Sequence, residues 1–122
     1  MSNSFNVINN NIQEIEADKN LELQGQIENL LKSSKVVLFM KGNADMPQCG
    51  FSANSVAILK HLGVSFNTFN ILNDPEIRQG LKDFSNWPTY PQLYTNGKLI
   101  GGNDIITEMY KSGELQEYLK NN

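Results

Sequence analysis

Five apolar residues in a row, Val36-Val37-Leu38-Phe39-Met40, constrain this chain more than any other stretch. They do not alternate with polar residues, so a strand built from them is buried on both faces, as in a sheet covered by helices on either side. The run ends in a loop, Lys41 to Gln48, and the loop leads to Cys49, the only cysteine. Beyond it Val56, Ile58, Leu59 and Leu62 follow helical spacing, which predicts a helix over Gly50 to Leu62. Cys49 therefore falls where a loop leaving a buried strand becomes the first turn of a helix. Backbone N–H groups there lack intrahelical partners, and the positive end of the helix dipole favours an anion. A thiol in that place loses its proton more readily than an ordinary cysteine, and Lys41 adds positive charge across the same loop. The competing reading is a small buried hydrophobe. The flanks weigh against it: Pro47 stiffens the approach, Gly50 lets backbone or ligand come close, and the strand–loop–helix frame exposes the sulfur.

The remaining segments supply the cover that such a strand needs. Ile27, Leu30 and Leu31 share one face of a helix predicted from about Leu23 to Ser33, with Gly25 weakening its start. Residues 1–22 are polar and rich in asparagine and are expected to form a flexible extension. Phe5, Ile8, Ile12 and Ile15 do fall at helical spacing there, but the segment has little apolar surface to pack. Ser65 to Leu72, with Phe66 and Phe69 available to a core, reads as a second strand. Asp74-Pro75-Glu76 opens a third helix, with Asp74 as N-cap, Pro75 at the first position, and Ile77, Leu81 and Phe84 facing inward. Two prolines, Pro88 and Pro91, hold Thr89-Tyr90 extended. Gln92 to Tyr94 and Lys98 to Ile100 flank Asn96-Gly97, the residues of a two-residue hairpin turn. Asn103 or Asp104 caps a fourth helix with Ile105, Ile106 and Met109 on its apolar side, and Glu114 to Lys120 forms a short last one. A strand–helix–strand unit implies a parallel right-handed crossover, and the hairpin adds two antiparallel strands. The expected fold is α/β, a four-stranded mixed sheet with helices on both faces, in one domain over residues 23–122.

Net charge is −3 and no basic run is present, so bulk electrostatics argues against nucleic acid or an anionic membrane as partner. No apolar run approaches membrane-spanning length. The first residues have neither the cationic start and apolar centre of a secretory signal nor the arginines of a transit peptide. With a single cysteine, the expectation is a reducing, cytoplasmic setting. His61, the only histidine, lies in the last turn of its helix, where a positive group suits the dipole. It is about three turns from Cys49 and is no base for that sulfur. Arg78, the only arginine, reads from its surroundings alone as a solvated surface charge.

The element order, with a thiol leaving the first strand and a proline opening the third, resembles the thioredoxin-like fold. More narrowly, Cys49-Gly50-Phe51-Ser52 resembles the active site of the monothiol glutaredoxins. Lys41-Gly42, Trp87-Pro88-Thr89-Tyr90-Pro91-Gln92 and Gly101-Gly102-Asn103-Asp104 extend the likeness, in order, over roughly residues 24–119. The resemblance implies a cis Pro91 and pairing of the Tyr90 backbone, beside Thr89, with the cysteinyl part of glutathione. It implies that Lys41 and Arg78 bind the carboxylate at the glycine end and that Asn103 and Asp104 hold the γ-glutamyl end, with Gly50 and Phe51 beside the thiol. Glutathione has two carboxylates and one ammonium, which cations, helix-start amides and one acid complement. Many relatives carry Cys or Ser where this chain has Asn103; a cysteine there could resolve a disulfide within the chain, and Asn103 cannot.

A dithiol enzyme attacks with one sulfur and resolves with another. This chain lacks the second, so an outside thiol must release any mixed disulfide on Cys49. A [2Fe–2S] cluster commonly takes four thiolates; the resemblance implies that two chains share one cluster through both Cys49 residues and two glutathiones. Three functions remain open at this point. One is a glutathione-dependent [2Fe–2S] carrier, homodimeric when loaded, that passes clusters to acceptor apoproteins and, as the family suggests, binds a BolA-like protein. Another is a glutathione-dependent thiol oxidoreductase, weak at most, working through Cys49. The third is an adaptor with Cys49 as a redox-sensitive contact.

Overall fold

The computed structural model describes residues 4–121 and puts the apolar run at the centre of the sheet. The elements are α1 (Ser4–Lys32), β1 (Val36–Met40), α2 (Gly50–Leu62), β2 (Asn67–Asn70), a 3-10 turn (Ile71–Asn73), α3 (Pro75–Ser85), β3 (Gln92–Thr95), β4 (Lys98–Gly101), α4 (Asn103–Ser112) and α5 (Glu114–Asn121). Strand order is β2-β1-β3-β4. β1 pairs parallel with β2 and antiparallel with β3, and β3 pairs antiparallel with β4.

All five residues of β1 are buried, and the pleat divides them between two cores. Val36, Leu38 and Met40 pack with Val56 and Leu59 of α2, Ile106 of α4 and Leu115 of α5. Val37 and Phe39 pack with Ile27 and Leu31 of α1 and with Ile77 and Leu81 of α3. Complete burial of side chains this size contributes about 1.5–3 kcal/mol each. Helices thus cover both faces of a four-stranded mixed sheet, the thioredoxin-like arrangement expected. No helix among the described residues is long and apolar enough to cross a membrane.

The structure departs from the expectations at several edges. α1 does not begin near Leu23: over residues 4–22, where a flexible extension was expected, the chain already belongs to the helix. No proline interrupts that stretch, and Glu14, Glu16, Lys19 and Glu22 are good helix formers. Its described side chains before Leu23 are exposed, Ile12 and Ile15 among them. Residues 1–3 lie outside the described residues. β2 is shorter than Ser65 to Leu72, because the Asn70 side chain accepts from the Leu72 amide at 3.0 Å and turns the chain after four residues. Phe84 is 43% exposed rather than core. It closes α3 at a shallow cleft beside Leu31 and the β3–β4 turn, beyond the edge of the packed layer. Ile105 leaves the core side of α4 to Ile106 and Met109 and packs against Gly101 instead.

The loop after β1 is fixed as firmly as the strand. Gly42 and Pro47 form an antiparallel bridge, and the Gln48 amide donates to the Lys41 carbonyl at 2.8 Å. Asn43 Oδ1 accepts from the amides of Asp45 (3.0 Å) and Met46 (2.8 Å), and Asn70 Oδ1 accepts from the Gly42 amide at 2.9 Å. Gly42 holds φ +91°, and a Cβ there would stand 2.5 Å from the Met46 carbonyl oxygen and 2.6 Å from the Gln48 amide nitrogen. A Cβ at Gly50 would meet nothing within 4 Å, so the protein's own packing does not require that glycine. Gly42→Ala should lower stability by about 2 kcal/mol, and the thermal midpoint by about 10 °C. Gly50→Ala should leave the midpoint within about 2 °C. Parallel thermal denaturation of the two variants checks the contrast.

Candidate active site

Cys49 is the N-cap of α2, in extended conformation at φ −155° and ψ 138°, and its carbonyl accepts from the Ala53 amide at 2.9 Å. Its side chain makes no cap of the usual kind and stays half-buried. The thiol is held below its ordinary value, first by the Ser52 amide, against a smaller opposing effect of burial. The Phe51 amide, the Lys41 charge and the Ser52 hydroxyl lower it further. Ser52 also fixes the frame: its buried hydroxyl accepts from the Lys41 amide at 3.2 Å and ties the end of β1 to the first turn of α2.

A groove of about 620 Å³ opens beside the sulfur. Lys41 from the end of β1, and Arg78 and Lys82 from α3, line it, and none of the three forms an ion pair among the described residues. The N-terminus of α4, Gly102 to Ile105, lines it from an element on the opposite face of the sheet. Trp87 to Tyr90 complete the wall. Gly102, not Asn103 or Asp104, is the N-cap of α4 and offers no side-chain acceptor. The first-turn amides of α4 are therefore left for a ligand anion.

The Trp87–Tyr90 loop is pinned from behind. Gln92 is fully buried, and its amide nitrogen donates to the carbonyls of Trp87 (3.1 Å) and Thr89 (3.2 Å). Its oxygen accepts from the Tyr94 hydroxyl at 2.8 Å. Tyr90 donates its hydroxyl to the Arg78 carbonyl at 2.6 Å, and burial pushes that phenol well above its usual range. The Tyr90–Pro91 peptide is cis, as the resemblance implied.

The fold gathers Lys41, Cys49, Phe51, Arg78, Thr89, Tyr90, Asn103 and Asp104 around this one groove. Pro91 is buried behind Tyr90, and Gly50 opens α2 next to the sulfur; neither lines the groove. Arg78 is half-buried on the groove wall and forms no ion pair among the described residues, so its charge is available to the groove. The Asn103 side-chain oxygen is already occupied, accepting from Asn54 at 2.9 Å and Ser55 at 3.0 Å. Lys82 and Trp87 were missed as site residues. Lys82 follows Arg78 by four, which places both on one helix face. The Trp87 indole N–H is buried without a partner among the described residues and sits 3.2 Å from where a Cβ on Gly102 would be; Trp87 opens one of the four motifs, but no pattern in the sequence assigns it to the groove. Among the described residues no group of three or more His, Cys, Asp or Glu is placed to hold a metal ion.

Comparison with known proteins places the family and the fold. The family profile described as Glutaredoxin matches residues 36–100. A Synechocystis protein named uncharacterized monothiol glutaredoxin ycf64-like is 54% identical over 101 residues, 83% of this chain and 94% of that protein. The probable monothiol glutaredoxin 2 of Rickettsia conorii is 60% identical over 94 residues, 77% of this chain and 88% of its own. The solution structure of reduced poplar apo GrxS14 superposes with a TM-score of 0.73 at 54% identity, covering 81% of this chain and 91% of that one. A crystal structure of a buckwheat glutaredoxin–glutathione complex gives 0.72 at 25% identity, covering 84% and 93%.

The direction of the Cys49 shift sets a pH profile. A lowered value means more thiolate at neutral pH, so the alkylation rate should reach half its maximum at a lower pH than that of an unperturbed cysteine thiol. Lys41→Ala removes one of the lesser contributions. It should raise the midpoint and slow iodoacetamide alkylation at pH 7 by about two- to fivefold. An unchanged profile would leave the helix amides and the Ser52 hydroxyl as the cause.

Proposed function

The chain belongs to the glutaredoxin family, on its monothiol branch, and from that premise we propose that it binds glutathione in the groove and carries a [2Fe–2S] cluster. In this reading two chains share the cluster and deliver it to acceptor apoproteins. The observation that carries the proposal is one thiolate-forming cysteine beside a groove with three cations that form no ion pair among the described residues and an open helix N-terminus. Lys41, Arg78 and Lys82 suit the carboxylate at the glycine end of glutathione, and the α4 amides suit the carboxylate at the γ-glutamyl end. Asp104 suits the ammonium beside it. The bound glutathione named for the buckwheat relative supports the choice of ligand.

The count of sulfurs supports the cargo. A [2Fe–2S] cluster commonly takes four thiolates, and each chain has one cysteine. Two chains and two glutathione thiols complete the set, and a cluster held partly by exchangeable small thiols is suited to transfer. A BolA-like protein and acceptor apoproteins are the partners this reading implies. The lowered, half-buried thiol favours a second reading, glutathione-dependent disulfide exchange. There the Cys49 thiolate attacks a disulfide, one partner leaves as a thiolate, and a second glutathione later displaces Cys49 from the mixed disulfide.

Anaerobic reconstitution with iron, sulfide and glutathione separates the readings. The carrier should show visible absorption on a dimer that dissociates as the cluster is lost. Neither should form in Cys49→Ser or without glutathione. Arg78→Ala should shorten cluster lifetime several-fold with an unchanged circular dichroism spectrum. A colourless wild-type protein that turns over a glutathione mixed disulfide rapidly would overturn the carrier in favour of the enzyme. Partner binding indifferent to Cys49→Ser would favour the adaptor.

A further inference from the structure

We infer that Asn54, on α2 and outside the groove, is a positioning residue that sets the γ-glutamyl subsite through Asn103; this rests on the glutathione reading above. Asn103 opens α4, and its Oδ1 accepts from Asn54 Nδ2 at 2.9 Å and from Ser55 Oγ at 3.0 Å. Asn54 Nδ2 donates also to Thr107 Oγ1 at 3.0 Å, one turn further along α4. An amide oxygen has two lone pairs, and both are engaged here. Ser55 is fully buried, so its hydroxyl needs the acceptor that Asn103 supplies.

Two consequences follow for the ligand. The Asn103 side-chain oxygen is committed to α2, so what Asn103 can offer an anion is N–H donors, its backbone amide at the start of α4 among them. The amide works on an anion only within hydrogen-bond distance. One tripeptide must reach the Cys49 sulfur at the start of α2 and the amides at the start of α4. The relative placement of these two helix ends therefore decides whether both contacts form together. Apolar contact between α2 and α4, such as Val56 and Ile106 in one core, is non-directional and tolerates sliding. The hydrogen bonds from Asn54 and Ser55 are directional and fix the register. The latch thus acts on ligands that span both helix ends, and it favours glutathione over a thiol that stops short of α4.

The test compares two disulfides that differ at that end. Cys49 is equilibrated with glutathione disulfide or with the disulfide of cysteinylglycine, which lacks the γ-glutamyl group. In each exchange the Cys49 thiolate attacks, the original S–S bond breaks, a mixed disulfide forms, and one small thiolate leaves. Asn54→Ala should lower the exchange constant for glutathione about three- to tenfold and leave that for cysteinylglycine within about twofold. The pH profile of Cys49 alkylation should not move. Asn103→Ala, which breaks the Ser55 bond as well, should give at least the same selective loss, and the double variant should lose less than the sum of the two. Equal losses on both disulfides, or no loss on either, would overturn the latch while leaving glutathione binding intact. A wild-type protein with no preference for glutathione over cysteinylglycine would overturn the glutathione reading and the latch together.

Discussion

Burial of β1 on both faces is the constraint from which the rest of the structure follows. A strand with no polar face needs a layer on each side, and the two layers here come from helices on either side of it in sequence. Once those layers are packed, the C-terminal end of β1 becomes a fixed point. Lys41 leaves the strand there, the loop closes back on it through the Gln48 amide, and Ser52 accepts from the Lys41 amide. Cys49 is held between these last two contacts. The sulfur owes its place to the core beneath it.

The same frame explains the electrostatics. The helix-start amides and Lys41 act together on the thiol because one turn of α2 and one end of β1 meet there. The groove then draws charge from both layers: Arg78 and Lys82 from α3 on one face, and the uncapped start of α4 from the other. No single element carries a site for an anion with two carboxylates. The groove forms where elements from opposite faces of the sheet meet beside the end of β1.

Much of this was legible in the amino-acid order. The unalternating run gave β1 to the residue, Asp74-Pro75 gave the start of α3, and Asn96-Gly97 gave the hairpin. Most of the groove was legible too, but chiefly from the four short motifs rather than from periodicity. What stayed hidden depended on distant partners. Asn70 ends β2 early and also holds Gly42, 28 residues away. Asn103 meets residues 48 and 49 positions before it. Phe84 has the spacing of a core residue, yet lies where the layer beneath it ends. Local patterns record which face of an element is apolar; they do not record where its neighbour stops or which amide faces which.

Those hidden contacts share one kind of chemistry. Ser52 holds Lys41, Asn70 holds Gly42, Gln92 holds Trp87 and Thr89, and Asn103 joins α4 to α2. Each is a small hydroxyl or amide, buried or partly buried, that binds the backbone or another polar side chain behind the groove. A buried polar group is costly unless satisfied, so each tolerates few alternative geometries. Apolar packing supplies most of the stability but little direction; these amides and hydroxyls supply the direction. On the proposed reading, a groove fixed in this way loses little conformational freedom when a flexible tripeptide enters. The remaining cost of ordering falls on the ligand, and a thiol that arrives with that cost can also leave. Under the proposed function, in which a chain with one sulfur borrows its other ligands and returns them, rigidity of the protein and mobility of the ligand are complementary requirements.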